Sequence, residues 1–294
     1  MDFRQLLQSE RVILLDGAMG TQLHERGLMS HGQVNLDAPE AVLEVHRAYA
    51  ACGCDALIAN TLTMNRVYIE THNVGVSVRE VNRAGAALAR QAAGSDRCVL
   101  GNMSSTSQLL EPYGTYSEAQ FRAAFREQAE ALAGADVDGF IVESMFNLRE
   151  ALCALRACKE VSSQPVLVSI AFQTNSNGGR TMMGDTAEQF ARQLTDTGAD
   201  AIGANCGDLD PVQTADIVAL LRAETDRPLA AQPNAGKPRL VGDRTIFDME
   251  PEPFADGVAT CIRAGARLVG GCCGTTPEHI RAVRRRIDET AGRP

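Results

Sequence analysis

The chain has no tryptophan, and only 4% of its 294 residues are aromatic. An aromatic cage for a quaternary ammonium would have to use its few Tyr and Phe. No apolar run approaches the roughly 20 residues that a membrane span needs. The opening MDFRQLLQSERVILLDG mixes charges among its apolar residues and lacks the unbroken apolar stretch of a signal peptide. A cytoplasmic protein with no membrane partner is expected. Positive charge is in deficit, with 28 Lys and Arg against 37 Asp and Glu and a formal charge of −9. Nucleic-acid binders normally carry the opposite footprint, so no nucleic-acid partner is expected. The one basic cluster, Arg281 to Arg286, reads as the solvated face of a last helix. Histidine is scarce, and none of His24, His31, His46, His72 and His279 closes a strand candidate. A G-x-S-x-G elbow is missing, which disfavours acyl-transfer hydrolases. So is a G-x-G-x-x-G after the first strand, which disfavours dinucleotide binding.

What is present is an alternation. Short apolar runs occur at Val12–Ala18, Ala56–Thr61, Cys98–Ser104, Gly139–Ser144, Val166–Phe172, Ala201–Cys206, Leu229–Asn234 and Leu268–Cys273. Continuous rather than alternating apolar character marks strands buried on both faces. Helical patterns separate them at Pro39–Ala51, Val78–Ala93, Ser117–Ala133, Asn147–Val161, Thr186–Thr197, Pro211–Glu224 and Pro253–Ala264, and Thr276–Glu289 follows the last run. Ser117 with Gln120 reads as a capping box. The phrases AACGCD, LAGADVDG, LTDTGAD and IRAGAR repeat the chemistry of a helix end turning into a buried strand. Eight such units with no linker or low-complexity segment predict an α/β fold. Residues 1–294 are expected to form a single (βα)8 TIM barrel, its active site at the C-terminal ends of the strands.

The residues at those ends are polar or thiol: Asp16-Gly17, Asn60-Thr61, Asn102, Glu143, Gln173, Asn205-Cys206, Pro233-Asn234 and Cys272-Cys273. Nine cysteines in a chain of this kind are not a disulfide framework. Cys52, Cys54, Cys98, Cys153, Cys158 and Cys261 read as small buried hydrophobes. Cys206 ends the sixth strand and Cys272 and Cys273 the eighth, so these three can converge. Three thiolates suit Zn²⁺ and leave one tetrahedral position open. Vicinal cysteines on a regular strand would face opposite ways. The flanking Gly270, Gly271 and Gly274 supply the freedom to bring both inward. Zinc on three thiolates keeps a net negative charge, so it is suited to binding and deprotonating a substrate thiol. The implied reaction is attack by that thiolate on an electrophilic carbon.

The motifs DGAMGTQL (Asp16–Leu23), ANCG (Ala204–Gly207), PNAGKP (Pro233–Pro238) and GGCCGTTPEHI (Gly270–Ile280) resemble those of the zinc-dependent homocysteine S-methyltransferases. Within that family the resemblance is to the homocysteine-binding domain of cobalamin-dependent methionine synthase, over about residues 10 to 285. It implies a (βα)8 barrel, a place in methionine biosynthesis and one-carbon metabolism, and Cys206, Cys272 and Cys273 as zinc ligands. It also implies Asn234 as an exchangeable fourth ligand, Asp16 and Glu143 as holders of the substrate ammonium, and the Gly17 and Ala18 amides as holders of its carboxylate. Thr61 and Asn205 are site candidates by position alone.

The resemblance leaves the methyl donor open. Methionine synthases of this type continue into folate and cobalamin domains, whereas this chain stops after its eighth barrel helix. A separate methyl-corrinoid protein carrying methylcobalamin is the first expectation. S-methylmethionine or another sulfonium compound is the second. Betaine is disfavoured by the missing tryptophan. The segments Asn60–Asn73 and Gly101–Thr106 depart from the methionine synthase pattern at the second and third strand mouths, where donor contacts are expected. A reading of another class is a non-catalytic zinc- or thiol-binding subunit of a larger complex.

Overall fold

The computed structural model describes residues 2–242 and 244–291. The barrel strands are β1 (Ile13–Leu14), β2 (Ala56–Ile58), β3 (Cys98–Met103), β4 (Gly139–Met145), β5 (Val166–Ile170), β6 (Ala201–Asn205), β7 (Leu229–Gln232) and, after a small hairpin, β10 (Ala266–Val269). The hairpin is β8 (Arg239–Val241) with β9 (Arg244–Ile246), and it rises from the loop after β7. The eight barrel strands are parallel and neighbour one another in the order β1-β10-β7-β6-β5-β4-β3-β2. A parallel bridge, Leu15 to Ala56, closes the circle between β1 and β2. This is the expected (βα)8 barrel.

Two apolar layers explain the continuous runs. Ile13, Leu15, Ile58, Leu100, Ile141, Leu167 and Leu268 pack inside the barrel with Phe3, Leu6 and Leu7. Their alternates, such as Leu14, Leu57, Val99, Val142, Val168 and Val269, pack outward against the helices. The helix Phe3–Gln8 thus plugs the N-terminal end of the lumen, and Gly139 makes room for it, since a Cβ there would lie 2.6 Å from the Phe3 ring. The repeated helix-to-strand phrases gain a purpose here. Asp55, Asp138 and Asp200 accept from the Leu14, Val99 and Val166 amides at 2.8, 2.7 and 2.8 Å, each taking a donor from a neighbouring strand.

The eight expected helices form within a few residues of their expected bounds, and the Ser117–Gln120 capping box is present. Seven of the eight barrel strands are shorter than expected, most of all β1, which covers Ile13–Leu14 of the run Val12–Ala18. β10 stops at Val269 rather than Cys273, because Gly271 turns its amide to the Asp16 carbonyl at 3.1 Å. β7 stops at Gln232 rather than Asn234, where Pro233 ends donation to the ladder. The short helices Gly20–Glu25, Val34–Asp37 and Arg66–Thr71 were not expected, and neither was the hairpin. The basic cluster is paired on the surface, with Arg284 on Asp288, Arg285 on Glu252 and Arg286 on Asp256. No helix among the described residues is long and apolar enough to cross a membrane.

Candidate active site

On the inward-facing positions, composition changes with height. Leu100 gives way to Asn102, Ile141 to Glu143, Leu167 to Ser169 and Ala230 to Gln232, each two residues further along its strand. The lumen is therefore an oil-filled base under a polar layer. Above that layer lies a cavity of about 470 Å³, lined by Asp16, Gly17, Ala18, Asn102, Glu143, Gln232 and the three cysteines, among others.

Cys206 follows Asn205, so a continuing strand would turn it away from the barrel axis. Its φ of 55° turns it inward instead. That left-handed conformation costs a non-glycine residue about 1–2 kcal/mol. Gly207 follows, also left-handed at φ 67°, and any Cβ there would collide with the Phe172 carbonyl. Cys272 and Cys273 sit in the turn after β10, which the Cys272 carbonyl closes by accepting from the Thr275 amide at 3.2 Å. The sulfurs of Cys206 and Cys273 are 4.0 Å apart, as are those of Cys272 and Cys273, and all three lie within 4.8 Å of one another. The cluster cannot ionise fully by itself. Cys206 is held well below the ordinary thiol range by S–H donation from Cys272 and Cys273. Those two are pushed up by the same contacts, Cys273 to about 12. The other six cysteines are buried, and burial above all pushes Cys98, Cys158 and Cys261 up to about 12.

Asn234 lies beside this cluster. It donates to the Gly207 carbonyl at 2.9 Å, while its Oδ1 is buried with no partner among the described residues. It lines a smaller, mostly apolar cavity of about 270 Å³ that shares Cys206 with the first. Three convergent sulfurs and a spare amide oxygen are a donor set that fits a soft, tetrahedral divalent ion.

The larger cavity is also lined by Asp16, 3% exposed, and Glu143, 9% exposed. Asp16 accepts from the Ile58 amide at 2.9 Å, and Glu143 accepts from Asn102 Nδ2 at 2.7 Å. Burial pushes both up, Asp16 well above the carboxylate range and Glu143 to about 7, with Glu143 adding to the shift of Asp16 and Cys206 to that of Glu143. Neither has a cationic partner among the described residues. Buried carboxylates of this kind call for a cation.

The remaining expected site residues divide. Gly17 and Ala18 line the cavity. A Cβ on Gly17 would lie 2.8 Å from Thr275 Oγ1 and 2.9 Å from the Tyr49 hydroxyl, so only glycine fits. The Ala18 amide, expected to be open for an anion, already donates to Thr275 Oγ1 at 3.0 Å. Gly17 N–H has no partner among the described residues. Thr61 does not line the cavity; it is fully buried, donating to the Asn102 carbonyl at 2.7 Å and accepting from the Asn102 amide at 3.2 Å. Asn205 also stands behind the wall, donating to Ser144 Oγ at 2.8 Å and reaching Cys272 Sγ at 3.7 Å. Sequence reasoning passed over Gln232, Ser144 and His24, which line the cavity. Two of them left a signal: Ser144 is the polar residue that closes the run Gly139–Ser144, and Gln232 is a polar residue inside the run Leu229–Asn234.

The connections around the mouth expose several large apolar side chains among polar ones. Met29, Leu109, Tyr113, Met182, Leu240 and Val241 are exposed, and each belongs to a loop that leads from a strand to its helix.

A model of the homocysteine S-methyltransferase family matches residues 13–287. Methionine synthases of Mycobacterium leprae (strain TN) and Mycobacterium tuberculosis (strain ATCC 25618 / H37Rv) are 29% and 30% identical over 94% of this chain, which spans 24% of their length. The homocysteine methyltransferase MmuM from Escherichia coli, in its oxidized form, has the same fold. Its TM-score is 0.80 at 24% identity, over 97% of this chain and 99% of that one.

Proposed function

Because the chain belongs to the homocysteine S-methyltransferase family, we propose that it transfers a methyl group to the thiol of homocysteine, giving methionine, with Zn²⁺ held by Cys206, Cys272 and Cys273. The observation that carries this reading is one cavity with two unmet demands for positive charge. Three thiols call for a soft metal ion, and two buried carboxylates call for an ammonium. An α-amino acid ending in a thiol answers the second demand and reaches the first.

In this reading Asp16 and Glu143 take the substrate ammonium and Gly17 N–H takes one carboxylate oxygen. Thr275 occupies the Ala18 amide, so it would have to release that donor for a second contact. Asn234 Oδ1 is the exchangeable fourth ligand. Bound zinc supplies a Lewis acid that keeps a thiol ionised at neutral pH. The protein's share is orientation: it fixes the amino-acid end so that the sulfur stands at the mouth, in line with an incoming methyl carbon. The thiols stay reduced in the cytoplasm, where we place the protein.

The donor we propose is a methyl-corrinoid protein that presents methylcobalamin to the mouth. Two features support it. The connections around the mouth expose large apolar side chains that suit a macromolecular partner. Among the described residues, the larger cavity has no Phe or Tyr ring and no carboxylate beyond Asp16 and Glu143 to hold a small onium donor, while Phe146 and Phe247 line the smaller cavity that shares Cys206. The test is mass-spectrometric detection of methionine from zinc-loaded protein, homocysteine and methylcobalamin, with Cys272→Ala as control. Product from the intact site supports the reading. Product from S-methylmethionine alone transfers it to a sulfonium donor. Bound zinc and homocysteine without product from any methyl donor, protein-borne corrinoid included, would leave a binding subunit and end the enzymatic reading.

A further inference from the structure

Asn102 ends the inward-facing series of β3 and is 6% exposed in the cavity wall. Its surroundings are fully specified. The Thr61 hydroxyl brackets its backbone, donating to the carbonyl and accepting from the amide, and Gln128 Nε2 adds a bond to the Thr61 carbonyl at 2.8 Å. Its side-chain nitrogen is committed to Glu143 Oε1 at 2.7 Å. When Glu143 is ionised it only accepts, so the amide nitrogen faces it, and Asn102 Oδ1 lies buried in the wall with no partner among the described residues.

We propose that Asn102 is a positioning residue for the α-ammonium site of the acceptor thiol: through Nδ2 it holds one oxygen of Glu143 and leaves the other for an ammonium N–H. One oxygen of Asp16 is likewise taken by Ile58, so each carboxylate keeps one oxygen for the ligand. The same arrangement gives Thr61 a task that its position at a strand end does not disclose. It is a positioning residue that keeps Asn102 in register with Glu143. The inference rests on the reading that an amino-acid thiol is the acceptor.

The test compares two ligands by calorimetry on the zinc-loaded protein: homocysteine and its deamino analogue 4-sulfanylbutanoate. The unaltered protein should prefer homocysteine. In Asn102→Leu, homocysteine affinity should fall by about 10- to 100-fold, as expected for a lost bond to a charged group. Affinity for the deamino analogue, which has no ammonium, should stay within a few-fold. A merely structural role would weaken both ligands together and leave their ratio intact, and that result overturns the inference. If the leucine variant does not fold, the smaller Asn102→Ser, which keeps the backbone bonds to Thr61, is measured for the same ratio. Failure of the unaltered protein to prefer homocysteine would instead strike at the acceptor assignment itself.

Discussion

The cavity has two walls, built by opposite means. The thiol wall is shaped by unusual backbone: Cys206 and Gly207 at positive φ, and a glycine-flanked turn that carries Cys272 and Cys273. The carboxylate wall is shaped chiefly by hydrogen bonds: Ser144, beside Glu143, is left-handed at φ 56°, but Asp16 and Glu143 themselves are not, and they are held by donors from β2 and β3. The difference teaches what each wall must tolerate. Sulfurs from separate strands must converge on one point, which regular strands cannot arrange, so the chain accepts local strain. Carboxylates receiving a rotating ammonium need only orientation, which a neighbouring strand provides.

Breaking the thiol wall should have the largest effect. Cys272→Ala should lose zinc by metal analysis and bring methyl transfer to background; full turnover in that variant would refute the zinc assignment. Breaking the carboxylate wall should be milder and of a different kind. Glu143→Gln should keep its zinc while the homocysteine KM rises roughly 10- to 100-fold, the worth of one charge-assisted bond. An unchanged KM would remove Glu143 from the ammonium site.

The acid wall also predicts a pH dependence. Glu143 is pushed up to about 7 by burial, so it is partly protonated in the free protein at neutrality. Homocysteine affinity should fall as pH drops below about 7, and Glu143→Gln should flatten that profile. For stability the sign is reversed. A carboxyl whose folded value lies above its ordinary 4.5 favours the fold fully below about 4.5, and that contribution is lost as pH rises to about 7. Thermal melts with and without homocysteine should therefore diverge as pH rises through this window.

Smaller effects sharpen the contrast. At Gly274, φ is 79° and a Cβ would collide with Phe247. Gly274→Ala should cost at least the 1–2 kcal/mol or so of a left-handed residue, seen as a lower Tm with the carboxylate wall unaffected. The Tyr49 hydroxyl reaches the carbonyls of Ala18 at 2.9 Å and Thr275 at 3.1 Å, tying the loop after β1 to that after β10. Tyr49→Phe should cost about 1 kcal/mol in denaturant unfolding and change KM only slightly.

The barrel was legible because burial on both faces leaves a continuous apolar run, and because several helices open on capping boxes, at Ser117, Thr186 and Asp210. The thiols were legible because vicinal cysteines between glycines make poor core. What stayed hidden depends on contacts between distant segments. Thr61 ends its run beside the cavity lining, yet it is turned to the backbone of Asn102. The Ala18 amide looked open until Thr275, 257 residues further on, was placed against it. Hairpin β8–β9 escaped notice because Arg239–Val241 is exposed and buries no periodic face.

The seam between β1 and β2 carries one last consequence. A single bridge joins these strands, supplemented by the Asp55 bonds to Leu14 and by the Asp16 carboxylate, which takes the Ile58 amide where a longer ladder would continue. Asp16 is thus a clasp on the barrel's joint as well as a wall of its cavity. A ligand that tightens around Asp16 tightens the joint with it. Deuterium uptake at Ile58 and Ala59 should slow when homocysteine binds, while the regularly paired β5–β6 ladder serves as the unmoved reference. The hoop and its cargo then share one fastening, and a full cavity is a more firmly closed barrel.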